Sequence, residues 1–259
     1  MENRKTKRLY LDLEVSPNIV WTYQIGYKLN INHDQIIKER CIICACWKWE
    51  DEDKVHSIVW KGWGKDKHIV KKMAELIDKA DEVIAHNGDR FDIKWLRTRA
   101  LLNDVRFPIE IKSIDTLKRV RSNFLFNSNR LDYLSKITGG HGKLHYGGID
   151  TLNKIYLFND KEALEMYVDY CKIDVTELQR VYSVLKGYLK HESNESVRRG
   201  GERYCCPKCA SSDIMSNGTR VNPSGTVRRR MKCKSCNYQY SLPNNVYRWW
   251  VQDRIDGKI

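Results

Sequence analysis

From about Lys161 to Leu189, apolar residues recur at the three- and four-residue spacing of one long helix. Its stripe comprises Tyr167, Tyr170, Cys171, Val175, Leu178, Val181, Tyr182, Leu185 and Leu189. Asp174 lies inside that stripe, one turn after Tyr170 and one turn before Leu178. An unpaired carboxylate on a buried face is strongly disfavoured, so the fold must bring positive charge to it. A buried Lys or Arg would serve as well as a metal ion, and a stripe edge open to solvent would need neither. Asp174 alone does not decide between them.

The first apolar stretch, LYLDLEV (residues 9–15), poses the same problem on a strand. Leu9, Leu11, Leu13 and Val15 share one face, and the other face carries Tyr10, Asp12 and Glu14. CIICACWKW and KVHSIVWKG follow as a hairpin across EDED, and DKHIVKKMAELIDKA reads as a helix with Asp66 at its N-cap. EVIAHN is a short buried strand and FDIKWLRTRALL a helix. IEIKSIDT is a further strand, and NRLDYLSKITG a short helix ending at Gly139. Hairpins first and βα crossovers afterwards predict an α/β fold, a mixed sheet with helices on its faces. KHESNESVRRGGERY drops the apolar periodicity and reads as a linker. The expected organisation is a domain over 1–190, a linker over 191–203 and a small unit over 204–259.

Asp92 stands at the start of a helix, where acidic residues are routine. Asp12 and Glu14 taken alone fit the solvent side of an edge strand. Together with Asp174, however, these four carboxylates fall on elements that can converge at one end of a sheet. Clustered acids raise one another's pKa unless cations neutralise them. Hard divalent ions prefer carboxylate oxygens, and two ions about 3.5–4 Å apart suit displacement at a phosphodiester.

Three motifs carry a resemblance. Asp12-Leu13-Glu14 fits Asp-x-Glu, Asn87 to Asp92 (NGDRFD) fits Asn-x-x-x-Phe-Asp, and Tyr170 to Asp174 (YCKID) fits Tyr-x-x-x-Asp. In that order they resemble the DEDD superfamily of 3′–5′ exonucleases, over roughly residues 7–188. Within it they are most similar to the proofreading domains of family B DNA polymerases. Tyr170 stands four before Asp174, and the residue five before it is Asp169 and not His, so the resemblance is to the tyrosine branch. The resemblance implies a ribonuclease H-like fold and hydrolysis to nucleoside 5′-monophosphates with two Mg²⁺ or Mn²⁺ ions. It implies that Asp12 bridges both ions, that Glu14 and Asp174 hold one of them, and that Asp92 holds the other. Tyr170 would orient the attacking water, and Leu13, Asn87 and Phe91 would grip the terminal nucleotide. Asp169 is a rival to Asp174, but it lies off the apolar stripe.

Near the C-terminus, Cys206-x-x-Cys209 and Cys233-x-x-Cys236 flank a polar segment. Paired knuckles of this kind predict a tetrahedral Cys₄ site for one structural Zn²⁺, with a hairpin turning around NPSG. Cys205 stands beside Cys206 as an alternative ligand. The segment looks like a zinc ribbon of nucleic-acid enzymes. Arg228, Arg229 and Arg230 lie on the expected hairpin, followed by VYRWW, a combination suited to phosphate binding and base stacking. Packing onto the ribbon is the expectation for at least one of Trp249 and Trp250. Cys41, Cys44 and Cys46 read as small buried residues of a strand.

Charge agrees with a nucleic-acid partner. The net charge is +13, of which residues 196–259 carry +9 and the rest +4. No apolar run is long enough to cross a bilayer, and MENRKTKR lacks the apolar stretch of a signal peptide, so a cytoplasmic protein is expected. The expected partner is DNA, as single strands or 3′ ends. A replication or repair protein is a further expected partner, and a phage or repair setting would suit such a chain. Two other readings fit the same residues: a nuclease fold that binds nucleic acid without cutting it, and an endonuclease of the ribonuclease H-like group.

Overall fold

RLYLDLEV forms β1 (Arg8–Val15), and it is the middle strand of its sheet. The structure is a computed structural model that describes residues 6–26, 28–142, 148–190 and 193–259. Two short strands, β2 (Ile19–Val20) and β3 (Ile36–Lys38), pair with each other apart from the main sheet. Then come β4 (Ile42–Trp49), β5 (His56–Val59), α1 (Lys67–Lys79), β6 (Glu82–Ala85), α2 (Asp92–Leu102) and β7 (Ser113–Asp115). Helices α3 (Thr116–Asn123), α4 (Leu131–Ile137), α5 (Gly148–Phe158) and α6 (Lys161–Leu185) complete this unit, which runs from Lys7 to Leu189.

The sheet order is β5-β4-β1-β6-β7. β4 runs antiparallel to both β1 and β5, while β1, β6 and β7 are parallel. Alternation along β1 feeds two cores. Leu9, Leu11 and Leu13 join Ile69 and Met73 of α1 and Leu96 of α2. On the other face, Tyr10, Cys44 and Cys46 join Cys171, Val175 and Leu178 of α6. Each fully buried Leu contributes roughly 1.5–3 kcal/mol. That burial holds β1 in place against the repulsion between the acids it also carries.

The α6 stripe is buried from Tyr167 to Leu185, and Asp174 within it is 4% exposed. The helix stops at Leu185, short of the expected Leu189 and just ahead of Gly187, a poor helix former. Asp66 occupies the N-cap position of α1, but its side chain accepts no hydrogen bond from that helix. Its carboxylate instead takes Arg99 Nε and Nη2, both at 2.7 Å, and the Ile42 N–H at 2.9 Å. A fully buried charge is retained because a bidentate partner meets it. IEIKSIDT gives only the three-residue β7, because Asp115 ends the strand and caps α3 through the Lys118 N–H.

The second unit comprises Lys190–Ile259 with Thr6. In the stretch read as a linker, residues 191 and 192 lie outside the described residues. Beyond them, Asn194 caps a four-residue helix, α7 (Glu195–Arg198). Strands β8 (Ile214–Val221), β9 (Val227–Cys233) and β10 (Gln239–Pro243) form a meander in the order β10-β9-β8, followed by α8 (Asn244–Ile255). The β8–β9 hairpin turns through NPSG, where Asn222 Oδ1 accepts the Thr226 N–H at 2.7 Å. Its small core gathers Tyr204, Ile214, Met231, Leu242, Val246 and Trp250 around the cysteines. Trp250 is 4% exposed and Trp249 47%, so one tryptophan packs and the other faces outward.

Candidate functional site

Registered pairing of β1 with β6 covers Arg8 to Tyr10. Past that point the Leu13 N–H is taken by the Asp92 carboxylate at 3.0 Å, so the first turn of α2 is tied to β1. On β1's other side the register with β4 slips between Glu14 and Val15, and Ile43 is the extra residue. Such a bulge bends a strand and re-aims its side chains, and here it adjoins Glu14. The acidic end of β1 is thus framed by Asp92 on one side and the bulge on the other.

Asp12 and Glu14 point to the face covered by α6, where Asp174 meets them. One carboxylate oxygen from each of Asp12, Glu14 and Asp174 lies within 4.8 Å of the others. Asp92 is not in that trio, but its charge still acts on Asp12. The Asp12 carboxyl is held well above the usual range, first by loss of water and then by Asp92, Glu14 and Asp174. Burial pushes Asp92 up to about 7, against the lowering effect of the Leu13 N–H, with Glu14 and Asp115 adding to the rise. The four residues singled out in the sequence therefore share one region. Asp169 lies outside it, 64% exposed in its side chain and 2.8 Å from Lys172 Nζ.

The turn leading to Asp92 depends on residues that the motif does not name. Asn87 is left-handed at φ 70°, a conformation Asn tolerates better than most residues. Asp115, at the end of β7, accepts the Asn87 N–H at 3.1 Å and the Asp89 N–H at 3.3 Å. A Cβ at Gly88 would lie 2.5 Å from the Ala85 Cβ, so only glycine fits between β6 and α2. Phe91, half-buried, packs edge-on against Trp95 at 6.5 Å. Leu13 differs from the other expected nucleotide-gripping residues. Its side chain is 3% exposed and turned into the opposite core, so what it brings to the acidic region is its N–H.

Two residues of the site had no role in the sequence reading. The Tyr167 hydroxyl donates to Glu14 Oε2 at 2.6 Å, and burial and that carboxylate together raise its pKa. Tyr170 lies one turn further on, its ring stacked parallel to Tyr167 at 6.1 Å. Cys171 Sγ lies 3.4 Å from Asp12 Oδ2, within reach of a thiol hydrogen bond. Both are hidden in sequence because they look like ordinary stripe residues.

In the C-terminal unit, the Sγ atoms of Cys206, Cys209, Cys233 and Cys236 converge within 4.8 Å. Cys206 to Cys236 and Cys209 to Cys233 are each 3.6 Å, near the roughly 3.8 Å edge of a tetrahedron with zinc–sulfur bonds of about 2.3 Å. The cluster fits a zinc ribbon, and Cys206 rather than Cys205 belongs to it. Each knuckle closes on a left-handed residue, Ala210 (φ 64°) and Asn237 (φ 58°). The three arginines of β9 divide between the faces of the strand. Arg228 and Arg230 are exposed, whereas Arg229 is half-buried, bonded to Asn244 and Thr219 and stacked over Tyr247.

The model of the RNase H superfamily matches residues 30–186. That is more than half of the chain, and the protein belongs to this superfamily. Asp92 and Asp174 fall within the match, whereas Asp12 and Glu14 precede it. No curated protein matches. Among solved structures, the chain is similar to the family B DNA polymerase of the hyperthermophilic archaeon Pyrobaculum calidifontis, with a TM-score of 0.53 and 15% identity. The alignment covers 71% of this chain and 25% of that one, so the shared part is a quarter of the polymerase. At that identity the likeness is one of fold. The superfamily is one of nucleases, and nuclease chemistry on nucleic acid is the class that fold and family support. No helix among the described residues is long and apolar enough to cross a membrane.

Proposed function

We propose that the protein is a metal-dependent 3′–5′ exonuclease that releases nucleoside 5′-monophosphates, with DNA as the favoured substrate. The observation that carries this reading is the meeting of Asp12, Glu14 and Asp174 in a nuclease fold, on a central strand and the inner face of its last helix. An all-carboxylate donor set suits Mg²⁺ or Mn²⁺. When bound, two such ions neutralise the acids, activate water and stabilise the leaving 3′ oxygen. The 3′–5′ direction rests on the resemblance of the three motifs.

The chain's own residues then have distinct tasks. Asp12 would be the shared metal ligand, Glu14 and Asp174 would hold one ion with it, and Asp92 would serve the other. Leu13 holds Asp92 in place through its N–H. Tyr167 fixes the orientation of Glu14. Tyr170 would orient the attacking water. Asn87 and Phe91 flank the terminal nucleotide. In the C-terminal unit Cys206, Cys209, Cys233 and Cys236 would hold one structural Zn²⁺, and Arg228 and Arg230 would contribute to substrate or partner binding. The chain is read as two domains, 1–190 and 204–259, acting in the cytoplasm in replication or repair.

The test is to incubate 5′-labelled single- and double-stranded DNA and RNA with Mg²⁺, with Mn²⁺, or with EDTA. A ladder of progressively shortened DNA that requires metal supports the exonuclease. A few internal cuts would indicate an endonuclease, and binding without shortening would indicate a non-catalytic binder.

A further inference from the structure

In the register of β1 with β4, Cys46 lies opposite Asp12 and Cys44 opposite Glu14. Both thiols therefore stand on the face that carries the acids. Cys171 approaches the same place from α6. The three sulfurs lie within 4.8 Å of one another, and all three residues are fully buried. Packing explains a small residue at each position. It does not explain why three thiols converge while one of them also lies 3.4 Å from Asp12 Oδ2. In a tetrahedral site with metal–sulfur bonds of about 2.3 Å and a metal–oxygen bond of about 2.0 Å, that edge would be roughly 3.5 Å.

We propose that Cys44, Cys46, Cys171 and Asp12 form a second, soft-metal site, an S₃O set for zinc or a similar thiophilic ion, and that its occupation switches the acidic site off. Thiolates select borderline and soft ions, whereas the neighbouring carboxylates select hard ones. Asp12 belongs to both sets and cannot serve both in one geometry. On binding, the three thiols and the Asp12 carboxyl lose their protons to solvent, and the ion takes three sulfurs and one carboxylate oxygen. The four anionic ligands leave the same formal charge around a divalent ion as a Cys₄ ribbon does. The site stands on the thiol geometry alone, and only its effect on cleavage rests on the nuclease reading above.

Metal-free full-length protein is titrated with Co²⁺ in the absence of Mg²⁺, following thiolate-to-metal charge transfer, which reports only ions held by sulfur. About two Co²⁺ per chain are expected, one in the ribbon and one in the S₃O site. Cys44→Ala/Cys171→Ala should retain only the ribbon ion, and Cys206→Ala/Cys209→Ala only the other. Saturation of the unaltered protein at one ion would overturn the proposal, and that count needs no variant to fold. Survival of the second ion in Cys44→Ala/Cys171→Ala would overturn it as well. Cleavage of 5′-labelled DNA in Mg²⁺ is then measured with added Zn²⁺. The zinc concentration that halves the rate should rise at least about tenfold in Cys44→Ala/Cys171→Ala, each protein being compared with its own zinc-free rate. Equal sensitivity would refute the switch. If no protein cuts nucleic acid, the nuclease reading fails, while the Co²⁺ count still decides the site.

Discussion

Asp12 sits where a carboxylate is least stable without a cation, on a central strand with three other acids acting on it or beside it. Asp12→Asn should therefore have opposite effects on two measurements. On the proposed function, cleavage should fall by about 10³-fold or more, because an amide is a much weaker ligand than a carboxylate for a hard divalent ion. The melting temperature of metal-free protein near pH 7 should rise, because the folded state no longer has to keep a proton on a carboxyl that the unfolded chain releases. A variant that cuts normally would remove Asp12 from the site. Tyr167→Phe deletes the hydroxyl that donates to Glu14. A loss of about 10–100-fold in metal affinity or rate is expected, as for other groups that orient a metal ligand. An unchanged Mg²⁺ dependence would show that Glu14 is oriented without it. The acids were legible in sequence because a carboxylate in an apolar stripe, or two on one strand, has few physical explanations. Tyr167 and Cys171 were not, since an aromatic and a thiol on a buried face need no explanation until their partners, 153 and 159 residues away, are in place.

At the scale of elements, β9 sorts its arginines by strand alternation. Arg228→Gln with Arg230→Gln should weaken nucleic-acid binding and lower the slope of log affinity against log salt by about one for each phosphate no longer neutralised. Arg229→Gln should instead lower the ribbon's melting temperature, since its side chain binds Asn244, Thr219 and Tyr247. The reverse pattern would mean that the exposed face of β9 is not the binding face. The hairpin, the cysteine knuckles and the long helix α6 were readable because spacing alone specifies them. Helices α3 and α5 were not. The first follows β7 without an intervening loop, and the second exposes Ile149, Leu157 and Phe158, so neither shows a clean amphipathic pattern bounded by turns. The linker's composition likewise hid α7, whose start is marked only by the Asn194 cap.

For the molecule as a whole, the acids link stability to pH and to metal. Without ions, the folded protein keeps protons on Asp12 and Asp92 that the unfolded chain releases near pH 4. Metal-free stability should thus fall as pH rises from the ordinary Asp value towards about 7, the value reached by Asp92. Asp92 accounts for at most about 4 kcal/mol of that fall at about 1.36 kcal/mol per pK unit. Mg²⁺ or Mn²⁺ should reverse the fall, adding about 2.7 kcal/mol at a hundred times its Kd. Thermal melts at about pH 5 and pH 7.5, with metal and with chelator, test this; equal metal shifts at both would contradict it. The mixed sheet and its flanking helices were legible from the order of strand and helix patterns. The order of strands within the sheet was not, because pairing joins residues far apart in the chain.

On the proposed function, Asp12, Glu14 and Asp174 hold the metal that supports cleavage of nucleic acid from its 3′ end. A 3′-end-labelled single strand of DNA, incubated with Mg²⁺ and sampled early, tests it most directly. The unaltered protein should release the label as a nucleoside 5′-monophosphate, and Asp174→Asn should release none while still binding the strand. Label released in longer fragments, or released equally by Asp174→Asn, would contradict the claim.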